Sequence, residues 1–102
     1  MLNNEQLLEF IESHEFCIIQ YGSETCNPCV SLHYKLETQK DIPFLYVSVD
    51  ENRELCAQRN ILTVPALQFF ADGKCMLEKS GYFSLDEFLD RIDWILDKKR
   101  TL

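Results

Sequence analysis

Apolar residues recur along this chain in two rhythms, one of helical and one of strand period, and the switches between them mark out eight elements. Leu2, Leu7, Leu8, Phe10 and Ile11 share a helical stripe while Glu5, Glu9 and Glu12 take other faces. That spacing predicts a first helix from about Asn4 to Ser13, with Asn3 or Asn4 as its N-cap. Phe16 to Tyr21 is short, β-branched, aromatic and almost continuously apolar, which suits a central strand covered on both faces. Gln20 is the one polar residue inside it. Val30, Leu32, Tyr34 and Leu36 give the stretch from Val30 to Gln39 helical periodicity, and Pro28 just before it is tolerated because the first turn of a helix has free N–H groups. Asp41-Ile42-Pro43 ends that helix.

Phe44 to Asp50 reads as the next strand, and Asn52 to Gln58 as a third helix with Leu55 and Cys56 inward and Asn60 near its C-cap. Leu67 to Ala71 is a further apolar strand. Asp72-Gly73 is a hairpin signal into Cys75 to Ser80, so these two strands should be antiparallel neighbours. Ser84-Leu85-Asp86-Glu87 has capping-box spacing, and Phe88, Leu89, Ile92 and Ile95 carry a last helix to about Asp97. The order α-β-α-β-α-β-β-α implies an α/β fold, a mixed sheet with helices on both faces, built from parallel crossovers first and a hairpin second. No repeat, linker or low-complexity tract interrupts it, so residues 1–102 are expected to form one domain.

Composition narrows the class of function. With 46% apolar residues and only three Gly and three Pro, the 102-residue chain is that of a globular protein and not of a linker or tail. A net charge of -7 opposes long-range attraction to nucleic acid or anionic membranes, which leaves proteins or small molecules as partners. Met1 to Glu5 has no basic region followed by an apolar core, and no apolar run approaches membrane-spanning length, so a cytoplasmic protein is expected. Five cysteines is an odd number, and Cys17, Cys56 and Cys75 show no framework spacing; they read as small apolar residues, with Cys75 on an edge hairpin.

Cys26 and Cys29 are different. Two thiols at i and i+3 across a strand-to-helix turn approach one another closely enough to exist as a dithiol or as a small-ring disulfide. Metal binding is the other reading, because His33 at i+7 would add a third ligand. A zinc site usually needs four groups, no second CxxC exists, and His33 reads as an exposed helix residue, so no metal is expected. Covalent haem is excluded because Val30, and not a histidine, follows Cys29.

At this point the chain resembles a thioredoxin over nearly its whole length. The resemblance rests on the apolar strand feeding Cys26-x-x-Cys29, Val49-Asp50 closing the next strand, Val64-Pro65 before the third, the Asp72-Gly73 hairpin, Gly81 and the final helix, all in order. It implies a four-stranded thioredoxin fold in which the family's N-terminal edge strand is missing, since the first helix starts almost at Met1. It also implies a cis peptide before Pro65, facing the cysteine pair, and a backbone groove there for extended substrate. Thr25, Asn27, Pro28, Val64, Pro65 and Gly81 are the expected substrate-contacting residues. Thr25 stands where the family has a tryptophan and Asn27 where it commonly has glycine, which points to a narrower docking surface and an altered redox potential.

The chemistry needs one activated cysteine and a second to resolve the mixed disulfide. Cys26, at the positive end of the following helix, is the expected nucleophile, and Cys29, one turn in and less exposed, the resolving thiol. Gln20 matches the family's buried acid, and the lysine that often pairs with that acid falls at Tyr46. An amide cannot accept a proton in this pH range, so Gln20 is expected to hold a water or to orient Cys29 while the proton leaves by another route. The expected activity is protein-disulfide reduction through a Cys26/Cys29 cycle, contributing to cell redox homeostasis, with no cofactor beyond the redox-active disulfide and with recharging by a thioredoxin-reductase-like flavoprotein. The rival is a thioredoxin-fold binding or adaptor module with weakened redox activity. A monomer is expected, with a dimer through the uncovered edge strand as the other state.

Overall fold

The computed structural model describes residues 2–101. Its elements are α1 (Asn4–Glu12), β1 (Phe16–Gly22), α2 (Asn27–Thr38), β2 (Phe44–Ser48), α3 (Arg53–Gln58), β3 (Ala66–Ala71), β4 (Lys74–Ser80) and α4 (Leu85–Thr101). The sequence rhythms place all eight. Asn3, not Asn4, caps α1: its Oδ1 accepts the Gln6 N–H at 2.8 Å, and the Gln6 side chain accepts the Asn3 N–H at 2.9 Å. α2 begins at Asn27, so the cysteine turn opens the helix as expected, with Pro28 in its first turn. α4 runs past Asp97 since no Gly or Pro follows to stop it and Lys and Arg are good helix formers.

The sheet order is β2-β1-β3-β4, with β1 parallel to β2 and antiparallel to β3, and β3 antiparallel to β4. Asp72 at φ 51° and Gly73 at φ 80° make the tight turn between β3 and β4, the left-handed pair that such hairpins require. The chain enters through a helix, and β2 is an edge of the sheet among the described residues, in keeping with a missing N-terminal strand.

Strand alternation divides the core in two. Cys17, Ile19, Tyr21, Val47 and Phe70 face one side with Leu7 and Ile11 of α1 and Leu55 of α3. Ile18, Leu67 and Phe69 face the other, with Leu32 and Leu36 of α2 and Phe88 and Ile92 of α4. Alternate residues of a strand point to opposite faces, so Gln20 and Gly22 belong to the face that carries Ile18, the one under α2. The parallel register sets Gln20 beside Tyr46 and Gly22 beside Ser48. No helix among the described residues is long and apolar enough to cross a membrane.

Candidate active site: a disulfide at the start of a helix

β1 delivers the chain to a turn that is tied down before the cysteines are reached. The Ser23 hydroxyl donates to Asp50 Oδ2 at 2.7 Å and lies 3.1 Å from Thr25 Oγ1, while the N–H groups of Thr25 and Cys26 donate to Ser23 Oγ and Ser23 O at 3.3 and 3.1 Å. Thr25 and Asn27 are exposed on this turn. Cys26 is the N-cap of α2 in extended conformation, and its Sγ accepts the Cys29 N–H at 3.2 Å. The two cysteines form a disulfide with a Cα–Cα separation of 5.2 Å. Cys26 is half-buried and Cys29 is 1% exposed. No acidic residue occupies the first turn of α2, and the helix's positive end and free N–H groups lie beside the Cys26 sulfur.

Beneath α2 the structure gathers residues that the sequence left separate. Gln20, fully buried, donates from Nε2 to the backbone carbonyl of Cys29 at 3.0 Å, so it reaches the resolving cysteine through its backbone and not through its sulfur. Its Oε1 lies 3.2 Å from His33 Nδ1, and His33 Nε2 lies 2.8 Å from Glu37 Oε1. The expectation of an exposed His33 is corrected. One turn beyond Cys29, the ring is half-buried, edge-on to Phe44 and Tyr46 with centroids 5.6 and 5.0 Å away. Tyr46 and Cys29 both border the bare face of Gly22. A Cβ on Gly22 would sit 3.0 Å from the Tyr46 hydroxyl and 3.1 Å from Cys29 Cβ, so any side chain there would crowd both residues. Burial first, then the carboxylates of Asp50, Glu24 and Glu51, push the Tyr46 phenol above its ordinary range.

On the other side of α2 a groove of about 240 Å³ is lined by Pro28, Ser31, Lys35, Pro65, Gly81 and Tyr82, among others. The Val64–Pro65 peptide is cis, Pro65 is buried, and the Gly81 N–H donates to Pro65 O at 2.9 Å. Three of the expected substrate-contacting residues, Pro28, Pro65 and Gly81, therefore share one wall system. Thr25 and Asn27 stay on the turn outside that lining. Val64 packs in part against the α1-side core. The Tyr82 ring stands fully exposed at the groove.

The remaining cysteines lie outside the site. Cys17 and Cys56 are buried, and burial pushes the Cys17 thiol up to about 11. Cys75 is exposed on β4, although its sulfur turns back to within 3.7 Å of the Leu77 carbonyl. Native oxidised protein treated with iodoacetamide at mildly alkaline pH is accordingly expected to take one label, at Cys75, and three after unfolding without reductant. Labelling of Cys17 or Cys56 in the folded protein, read by peptide mass spectrometry, would contradict this burial.

The sequence reading missed Ser23, His33 and Glu37 as parts of the site. A signal was present for two of them: Cys29, His33 and Glu37 repeat at four-residue spacing, which aligns them along one side of a helix. Nothing local pointed to Ser23 and Asp50, which meet across 27 residues.

The family model described as Thioredoxin matches residues 1–94. The thioredoxin of Mycoplasmoides gallisepticum is 26% identical over 89 residues, covering 83% of this chain and 89% of that protein. NADPH-dependent thioredoxin reductase 3 of Arabidopsis thaliana is 28% identical over 87 residues, 80% of this chain but 16% of that longer protein. Among solved structures, a mutant thioredoxin from Halobacterium salinarum superimposes with a TM-score of 0.81 at 27% identity, covering 91% of this chain and 85% of its own.

Proposed function

From the premise that this chain belongs to the thioredoxin family and is a thiol–disulfide oxidoreductase, we propose that it reduces protein disulfides by the cycle that Cys26 and Cys29 define. One observation carries the reading: the half-buried sulfur is at the helix N-terminus and the 1%-exposed sulfur is one turn inside. In the dithiol form, Cys26 thiolate attacks a substrate disulfide and expels one substrate sulfur as thiolate. Cys29 then displaces the second substrate sulfur from Cys26, and the enzyme is left as the disulfide seen here. Two electrons pass from the enzyme pair to the substrate pair.

The groove bounded by Pro28, Pro65 and Gly81 receives an extended substrate segment beside the turn, with Thr25, Asn27 and Val64 as further contacts. Lys35 and the exposed Tyr82 give it one cationic and one aromatic contact. Thioredoxins act on protein disulfides and are recharged by a thioredoxin reductase. The match to a segment of a thioredoxin reductase supports a flavoprotein reductase as the electron source here. We place the protein in the cytoplasm as a monomeric single domain, a reading supported by its charge of -7 and its unpaired Cys17, Cys56 and Cys75.

Cys29→Ser tests the division of labour. Incubated with oxidised insulin, the variant is expected to accumulate a covalent adduct through Cys26, seen by non-reducing intact-mass analysis, whereas Cys26→Ser accumulates none. An adduct formed through Cys29 instead, or none with either variant, would sink the proposed roles.

A further inference from the structure

Charge is distributed unevenly around the Cys26 turn. On the β2 side, the carboxylates of Asp50, Glu24 and Glu51 lie near enough to Tyr46 to add to the effect of burial on its phenol. On the other side, the groove lined by Pro28, Pro65 and Gly81 holds one charged side chain among the described residues, that of Lys35. Its ammonium stands in a chain of net charge -7. It makes no ion pair among the described residues, whereas its α2 neighbours His33 and Glu37 lie 2.8 Å apart. Around it the groove is largely apolar, with buried Leu32, half-buried Phe83 and Leu85, and the exposed ring of Tyr82. Asp86 and Glu87, in the first turn of α4, stay outside that lining.

We propose that Lys35 is a specificity-determining residue: it receives a carboxylate on the substrate segment about four residues from the substrate cysteine, so the substrates are protein disulfides flanked by an acidic residue at that distance. The spacing is set by α2. Lys35 follows Cys26 by nine residues along the helix, a rise of about 13 Å, and an extended segment covers that in about four residues at ~3.3 Å each. The apolar lining screens the attraction less than open solvent does, and a lysine at the same substrate position meets like charge instead. Asp50, Glu24 and Glu51 repel an acidic segment laid the other way across the turn, so the same charges set its direction.

The proposal rests on the groove beside Pro65 being the one that the Cys26 cycle uses. Lys35 also lies in the last turn of α2, where a cation complements the negative end of the helix. That role is indifferent to substrate sequence, and a comparison of rates between substrates separates the two.

The probes are synthetic peptides, each joined to an identical copy through its one cysteine, with Glu, Gln or Lys placed four residues before or four after that cysteine. Reduced protein in excess converts each disulfide to two peptide thiols while its own pair becomes the Cys26–Cys29 disulfide, and acid-quenched chromatography follows the rate. In one of the two series, at low ionic strength, wild type is expected to cleave the Glu peptide about 2- to 5-fold faster than the Gln peptide, with the Lys peptide slowest. Lys35→Gln should bring the Glu and Gln rates together, and Lys35→Glu should reverse the order. Lys40→Gln makes the same change in net charge outside the groove and is expected to keep the wild-type ratio. The preference should close at about 0.5 M sodium chloride, where screening acts over a few ångströms.

Equal rates for the Glu and Gln peptides in both series of wild type would overturn the role of Lys35, as would a preference that survives in Lys35→Gln or that Lys40→Gln lowers equally. Peptide disulfides left intact by the reduced wild type would instead overturn the Cys26/Cys29 reductase reading, and the proposal with it.

Discussion

Cys26→Ser is expected to lower insulin reduction in the presence of dithiothreitol to the rate of dithiothreitol alone, a loss on the order of 10³-fold or more relative to the wild-type increment. The attacking species in thiol exchange is a thiolate, and a serine hydroxyl supplies no comparable anion at neutral pH. The helix that stabilises the sulfur anion has no sulfur to act on in this variant. Other features of the site are retained: Ser23, Asp50 and Thr25 still brace the turn, and the groove beside Pro65 is untouched. The substitution therefore separates chemistry from binding. Insulin turbidity followed for wild type and variant under the same reductant is the measurement. A variant that matched wild type would place the activity elsewhere and leave the fold as a binding module.

Phe69→Ala carries the largest expected cost in stability, about 3–5 kcal/mol. The ring is 0% exposed in the centre of β3, between Ile18 of β1 and Leu77 of β4, with the Phe16 ring 6.3 Å away, and it belongs to the cluster that α2 and α4 cover. Truncation removes its transfer free energy and leaves a void that the flanking strands, pinned by their ladders, cannot close. Domains of this size hold only about 5–15 kcal/mol in total, so a large share of the native margin is lost. Urea unfolding should show a lower midpoint with the slope preserved. A midpoint within error of wild type would mean that the α2–α4 side of the sheet is far more plastic than its burial implies.

These two effects draw on different layers of information. The core at Phe69 was legible because Leu67 to Ala71, broken only by Gln68, is an apolar run of strand length. The redox turn was legible for a similar reason: the CxxC spacing, the Pro in the first turn and the helical periodicity after it are all local, and they coincide. The Asp72-Gly73 hairpin needed two adjacent residues tolerant of positive φ, and both adopt it. Element ends were less legible. α4 runs to Thr101, beyond the Asp97 at which its apolar spacing ends.

The site around Cys29 was only half readable. Gln20 announced itself as a polar residue in an apolar strand, but its target did not. Whether its amide met a thiol, a water or a backbone group depended on the height of α2 above the sheet, which no local pattern encodes. His33 looked like any polar residue on a helix surface. Its half-burial follows from the edge position of β2, whose Phe44 and Tyr46 rings meet it edge-on, and from the missing side chain of Gly22, which leaves room for Tyr46.

The sequence by itself thus determined the order of elements, the two-faced core and the identity of the reactive pair, since each depends on residues near one another along the chain and on apolar periodicity. Tertiary structure alone decided what surrounds that pair. Ser23 meets Asp50, Gln20 meets the Cys29 backbone, and His33 meets Gln20 and Tyr46, through the register of parallel strands and the docking of a helix across them. Hydrogen bonds and ring contacts act over a few ångströms in space, and folding brings together groups far apart in the sequence, as Ser23 and Asp50 are by 27 residues.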